Sequence, residues 1–342
     1  MTLSRRRGLL HHSGPRAAGL AAAVTVLLAA VLLSLLAGAQ WFGPRDVYAA
    51  AAEFAGSDTD RVIRYLRLPR TATGLLAGAA LGLAGALMQG VTRNPLADPG
   101  LLGVNAGAAL AVVGAIGLLG IHSLTGYVWF AMGGALVATV VVHLVGSVGR
   151  GGATPVKLAL AGAALSALLG SVTSAATLLD LSTLNEFRFW VVGSLTLATG
   201  GIVAQAVPFI AVGIVLALAL GRSLNQLALG EDLATALGTR VTVVRILAGL
   251  AVVLLAGTAT AMAGPIGFVG LAVPHVARTI VGPDYRWILP WSVVLAPTVL
   301  LLADVAGRLV VRPAELQVGI VTALFGAPLF IALVRRRKLA EL

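Results

Sequence analysis

The sequence predicts an all-α fold, a polytopic membrane bundle of about ten transmembrane helices. Apolar runs longer than about 18 residues, each enough to cross a bilayer, recur along the whole chain. Of the 342 residues, 58% are hydrophobic and 11% charged, a composition outside the globular range. No segment alternates apolar and polar residues as a barrel strand does, so the backbone must bond within helices. The formal charge of +11 would suggest nucleic acid in a soluble protein. Here cytoplasmic loops rich in Lys and Arg account for it, and no nucleic-acid partner is expected. The absence of cysteine excludes disulfide, haem-attachment and thiolate-metal chemistry.

The elements follow in order. Residues 1–16 form a basic cytoplasmic lead with Arg5, Arg6, Arg7 and Arg16. Residues 17–334 form one transmembrane domain, and residues 335–342 a basic cytoplasmic tail. The first run, 17–39, ends in Ala37-Gly38-Ala39, which imitates a signal-peptidase site. The run is too long for a typical leader, so an uncleaved first helix is expected. Residues 40–66 are polar and mixed in charge, expected as a short surface helix and loop outside. The second span is Thr71 to Thr92. Pro99 to Gly149 contains no Asp, Glu, Lys or Arg over 51 residues, long enough for two spans at roughly 75 Å of helix. The fifth and sixth spans are 158–179 and 201–221, with a polar elbow at 180–188 between them.

Ile246 to Ala277 is free of Asp, Glu, Lys and Arg over 32 residues, too long for one straight span. Gly264-Pro265-Ile266-Gly267 breaks it into a seventh span and a short eighth. The ninth is 287–303 and the tenth 316–334. With both termini inside, 16 of the 24 basic residues fall in cytoplasmic segments and 8 outside, in agreement with the positive-inside rule.

The second span carries Gly74, Gly78, Gly82 and Gly85 at spacings of four, four and three. This ridge of small residues lets a neighbouring helix approach closely in lipid. Arg67-Leu-Pro-Arg70 precedes the span, and Arg93-Asn94-Pro95-Leu96-Ala97 ends it. By residue type alone, the Asn-Pro turn is a helix stop. Gly230 to Gly238, within a polar stretch at 222–245, frames a short cytoplasmic helix with Glu231 and Asp232 in its first turn, where the helix dipole favours them. His275 and Arg278 lie one turn apart. No metal ligands stand at the right spacing around His275, so it is expected to be structural.

No catalytic residue and no metal site are expected. The two lysines, Lys157 and Lys338, do not follow the glycine pattern of a phosphate loop. Ion-coupled carriers place ionisable groups within the membrane. Here every acidic residue is expected in a loop or at a span end, Asp180 and Asp304 lying nearest to lipid depth. An external ATPase is therefore the expected engine. An ion-coupled secondary transporter and a non-transporting membrane scaffold are the readings of other classes.

Arg67-Leu-Pro-Arg70, the segment 78–90 with Gln89, and Arg93-Asn-Pro-Leu-Ala-Asp-Pro-Gly together resemble the FecCD family of ABC importer permeases for iron-siderophores, haem and cobalamin. Gly264-Pro265-Ile-Gly267 through Pro274, His275 and Arg278 is similar to its second signature, and 303–308 with 315–319 to its closing one. Gln317 departs from the proline usual there. The resemblance implies a type II importer permease that dimerises, as a homodimer or with a related subunit. It implies two ATP-binding subunits that hold ATP and Mg, and an extracytoplasmic binding protein, with no cofactor on this chain. Gly230, Glu231, Asp232, Ala234, Leu237 and Gly238 would couple to the ATPase. Asn94, Pro95, Leu96 and, more loosely, Thr154 would form the cytoplasmic gate. Arg67, Arg70 and Arg308 would receive acidic side chains of the binding protein. The implied place is the cytoplasmic (inner) membrane of the cell, and the implied cargo a ferric siderophore, with haem or cobalamin as alternatives.

Overall fold

A computed structural model describes residues 9–10, 12–38, 40–149 and 154–336. The basic lead at 1–8, the segment 150–153 with Arg150 and the tail from 337 lie outside the described residues. Fourteen helices carry the described chain. They are α1 (Ser13–Leu36), α2 (Pro44–Ala52), α3 (Asp58–Thr92), α4 (Val104–Gly117), α5 (Leu124–Ser147), α6 (Pro155–Leu179), α7 (Leu181–Val191), α8 (Gly200–Ala219), α9 (Gly221–Leu227), α10 (Glu231–Ala236), α11 (Val241–Ala263), α12 (Val269–Val281), α13 (Tyr285–Val310) and α14 (Val318–Arg336). Seven are long and apolar enough to cross a membrane, and three shorter apolar helices, α4, α12 and α14, complete a set of ten. The described residues contain no strand.

The second span is the centre of the bundle, and it is much longer than the apolar run alone. α3 starts at Asp58 and runs 35 residues, roughly 50 Å at 1.5 Å per residue. Its start is fixed by a reciprocal cap. The Asp60 N–H donates to Ser57 Oγ (3.1 Å), and the Ser57 N–H donates to the Asp60 carboxylate (3.1 Å). A π-turn at Ile63–Arg67 comes just before Pro69, which has no N–H to continue the ladder. Hence 58–66 is a helical extension rather than the expected loop.

The glycine ridge is spent inside this chain. A Cβ built at Gly74 would lie 2.5 Å from Leu301 Cδ2, one at Gly78 2.5 Å from Pro297 Cα, and one at Gly82 2.5 Å from Ala296 Cβ. All three neighbours belong to α13. Gly85 meets α12 instead, where a Cβ would overlap the Gly270 carbonyl oxygen. A second close pair joins α4 to α5, with Gly107 and Gly134 each against the other's carbonyl. Shape matching of this kind holds helices together in lipid.

The break at Gly264 is present. α11 ends at Ala263, Gly264 has φ +70°, and α12 starts at Val269. A side chain at Gly264 would overlap the Trp190 carbonyl, and the Ser194 N–H donates to Ala263 O (2.7 Å). The turn after α7 therefore packs into the break. The polar elbow is itself helical: Asp180 caps α7 by accepting from the Ser182 and Thr183 N–H groups. Hydrogen bonds from the Thr183 and then the Ser182 hydroxyl hold its carboxyl down to about 2.

A candidate coupling end and a buried arginine cluster

The short helix expected between Gly230 and Gly238 is α10. Both glycines have positive φ, +109° and +84°, which a residue with a Cβ takes up only at a cost. The helix leans on α9, where Thr239 Oγ1 donates to Gln226 Oε1 (2.5 Å) and the Thr239 N–H to Ala234 O (2.9 Å). Ala234 is fully buried, so it seats the helix instead of facing outward. Leu229, Leu233 and Leu237 are about half exposed, at 59%, 49% and 54%. Leu233 lies on the helix, Leu229 stands before Gly230 and Leu237 is the C-cap, so three exposed leucines surround the helix beside the half-buried Glu231 and the exposed Asp232. Of these three, the sequence reading singled out Leu237 alone.

Glu231 ties this helix to the neighbouring turn. Its carboxylate accepts from Arg245 at the start of α11 and lies 3.8 Å from Arg93, the residue that ends α3. Arg93 is left-handed, φ +51°. The next residue, Asn94, accepts the Leu96 N–H on its side-chain oxygen (2.9 Å), and the Ala97 N–H closes the turn onto Asn94 O (3.1 Å). Pro95 is half-buried and Leu96 exposed. Asp98 then caps a 3-10 turn, Pro99–Leu102. Burial raises its carboxyl, opposed by the bond from the Gly100 N–H. Thr154 caps α6, its hydroxyl accepting from the Lys157 N–H at 3.4 Å. No described hydrogen bond joins it to Asn94. α6 reaches this region one element later, where Gly162 meets the Leu101 carbonyl.

α12 and α13 brace the same end. Gln89 is buried, and its Nε2 donates to Leu271 O at 3.1 Å. Arg278 donates to Tyr285 Oη (2.8 Å) and lies over that ring. Asn225 of α9 holds the start of α13 through Asp284 (2.6 Å) and the Tyr285 N–H (2.8 Å). The chain before α1 joins here too, with the Leu10 N–H donating to Ile280 O (2.9 Å). His275 is buried and Pro274 lies inside α12. Pro265 is partly buried in the break, and Gly267 is open around its Cα.

The three arginines assigned to docking stand at the other end of α3, roughly 35 Å from Arg93, but they are not exposed prongs. Arg67 and Arg308 clasp the C-terminal carbonyls of α1, which have no helical partners of their own. Arg67 donates to Leu35 O (3.1 Å), to Ala37 O and to Gln40 O (2.7 Å), and its guanidinium covers the Phe42 ring. Arg308 donates to Ser34 O and Ala37 O, both at 2.8 Å, and to the Asp304 carboxylate. The Ala37-Gly38 step that imitated a processing site is thus built into the fold, with Ala37 fully buried. Arg70 forks onto Asp304 (2.8 Å) and reaches Glu315 (2.7 Å). Asp304 was expected at a span end. It is 1% exposed inside α13, which runs seven residues beyond the predicted limit at Ala303. Exposed cations assigned to the same side include Arg45, Arg61, Arg64 and Arg312, and the docking reading passed over them.

Residues 26–336 match the FecCD transport family. The chain belongs to that family. It is 47% identical over 323 residues to the ferric enterobactin transport system permease protein of Escherichia coli (strain K12), covering 94% of this chain and 96% of the relative. It is 40% identical to a siderophore transport system permease of Bacillus subtilis (strain 168), over 92% and 94% of the two chains. A cobalamin import system permease of Halobacterium salinarum is 39% identical over 89% and 82%. Among solved structures, a metal-chelate type ABC transporter chain in an inward-facing conformation superposes with a TM-score of 0.81 at 30% identity, covering 94% of this chain and all of the other. The protein is therefore a multi-pass membrane transport permease of the FecCD family.

Proposed function

We propose that the chain is one of two permease subunits of an ATP-driven importer of ferric siderophores. Two separate ATP-binding subunits, carrying ATP and Mg, would drive it, and an extracytoplasmic binding protein would deliver the cargo. The observation that carries the reading is α10, a short helix flanked by the exposed Leu229, Leu233 and Leu237 and linked through Glu231 to the turn that ends the central helix. The relative with 47% identity, a ferric enterobactin permease, supports the cargo class. Both termini are assigned to the cytoplasm, on the side of α10. The ion-coupled alternative loses its best candidate, because Asp304 is already neutralised by two arginines. Cobalamin is kept as the second cargo because a cobalamin permease is 39% identical over most of the chain.

The test is uptake into proteoliposomes with the ATPase and binding protein present, comparing labelled ferric enterobactin with cobalamin. ATP-dependent accumulation of iron but not cobalamin is expected. Uptake that follows an ion gradient without ATP would reject the reading. In the same assay, Gly230→Val with Gly238→Val should abolish uptake while membrane insertion persists. Each valine must adopt a positive φ at roughly 1–2 kcal/mol, which unseats α10 without touching the bundle. Unchanged uptake by this pair would remove the coupling role.

Docking of the binding protein is proposed at the arginine rim, with the exposed Arg64 and Arg312 facing it and Arg70, tied to Asp304 and Glu315, behind them. Arg67 and Arg308 support this rim from below. Reversing Arg64 and Arg312 to Glu should weaken capture about tenfold at low salt and less at high salt, as exposed pairs of roughly 1 kcal/mol or less are screened. Arg67→Ala should instead lower thermal stability through the freed α1 carbonyls. Undiminished capture by the double reversal would move the docking surface elsewhere.

A further inference from the structure

A groove of about 260 Å³ lies on the outside of the bundle between α3, α5 and α11. Leu87, Met88 and Val252 form its buried floor, and exposed apolar side chains such as Val140 and Leu250 form its rims. It runs from His143 back to Leu136 and from Arg245 on to Val253. That is roughly 12 Å along the helices, most of one hydrocarbon leaflet of roughly 15 Å. Two hydroxyls line it, and both are occupied within their own helices. Thr92 donates to Met88 O (2.6 Å) and Thr139 to Ala135 O (2.9 Å). The groove is therefore apolar along its length. Its polar groups, His143 and Arg245, line it where α5 nears its end and α11 begins, and Arg245 shares Glu231 with Arg93.

At that end two guanidiniums meet on one carboxylate. Arg93 and Arg245 share a single carboxylate, Glu231. Asp232 pairs with neither among the described ion pairs. Among the described ion pairs, the Arg93 guanidinium has only the 3.8 Å contact to that shared carboxylate, at the level where α3 and α5 end and α11 begins. An apolar trough one leaflet deep, closed at its head by guanidinium and imidazole, matches an amphiphile with an anionic head. We propose that this groove binds an anionic phospholipid, with one acyl chain along the floor and the phosphate against Arg245, Arg93 and His143. Basic clusters between membrane helices recognise anionic headgroups in this way. Such a lipid would rest against the same arginines that hold α10, so its head would share the Glu231 link between α10 and the Asn94–Pro95 turn.

Gly249 permits a clean test. It lines the groove, and nothing lies within 4 Å of where its Cβ would be. Gly249→Phe should fill the trough without displacing any neighbour. The full chain, purified in detergent, is incubated with dioleoyl phosphatidylglycerol or with dioleoyl phosphatidylcholine. Retained lipid is counted by native mass spectrometry, and thermal unfolding is followed in parallel. The wild type should retain phosphatidylglycerol at least fivefold over phosphatidylcholine. Gly249→Phe should lose that adduct at an unchanged unfolding temperature. His143→Leu should keep a lipid but lower the preference between the two heads. Equal retention of both lipids by the wild type would overturn headgroup recognition. Full retention of phosphatidylglycerol by Gly249→Phe would overturn the groove assignment. Dissociation of a two-copy assembly by Gly249→Phe would make the groove a contact between copies of the chain and would also overturn the proposal.

Discussion

Asp304→Ala should lower stability by about 3–5 kcal/mol, enough to prevent accumulation of the folded permease. Asp304 is 1% exposed and bonded to two guanidiniums, those of Arg70 and Arg308. Removing it leaves two positive charges facing each other at the end of the bundle. Arg308, itself 2% exposed, would have only carbonyls and a serine hydroxyl as partners. Asp304→Asn keeps some of the hydrogen bonds without the charge and should fall between wild type and alanine. The double change Asp304→Leu with Arg308→Met distinguishes a simple ion pair from a structural clasp. Replacing a buried pair by apolar groups of similar size is often neutral. Here Arg308 also satisfies Ser34 O and Ala37 O, so the double change should remain destabilised. Thermal unfolding in detergent and protease resistance of the α1–α13 contact read this directly. A double change as stable as wild type would mean that the clasp on α1 contributes nothing.

The bundle itself was legible in the sequence because the constraint on backbone in lipid is so strong. Uncharged runs, Gly264 and the spacing of the ridge glycines led to the right spans. Helix ends were less legible where a polar helix continues an apolar one. Residues 58–66 read as loop because they carry Asp58, Asp60, Arg61 and Arg64. The Ser57–Asp60 cap, recognisable as a serine followed three residues later by an acidic residue, was the available signal. α13 was cut at Ala303 for the same reason, since Asp304 and Arg308 look like loop charges until their mutual spacing of four is weighed.

Site residues divided along similar lines. Local backbone requirements were readable: Gly230 and Gly238 have positive φ, and Asn94 and Pro95 make the tight turn. Long-range partners were not. That Arg67 and Arg308 are consumed by the end of α1 depends on residues 27 to 274 positions away. Only the packed structure supplies that information. The exposed leucines around α10 were missed because leucine in a membrane protein gives no sign of exposure until the buried face, here Ala234, is known.

Gly85 is the ridge position with the least room, and its substitution should be as damaging as the loss of Asp304. In a helix interior, Gly→Ala ordinarily helps by up to about 1 kcal/mol, because alanine is the better helix former. At Gly85 the new methyl would overlap the Gly270 carbonyl oxygen on α12, a backbone atom that cannot rotate away. α3 and α12 must then separate, which forfeits dispersion contacts along both helices. Overpacking typically costs 1–3 kcal/mol and more where backbone must move, so Gly85→Ala should exceed about 3 kcal/mol. Gly133→Ala on α5 is the control, since nothing lies within 4 Å of its Cβ position, and it should be neutral or slightly stabilising. Gly85→Ala should also disturb Gln89, one turn further along, whose bond to Leu271 O depends on the same approach. Thermal unfolding of both variants in one detergent decides the matter. If Gly85→Ala unfolds within a degree or two of Gly133→Ala, the ridge does not set the α3–α12 distance, and close packing at the centre of this permease is not what its glycines are for.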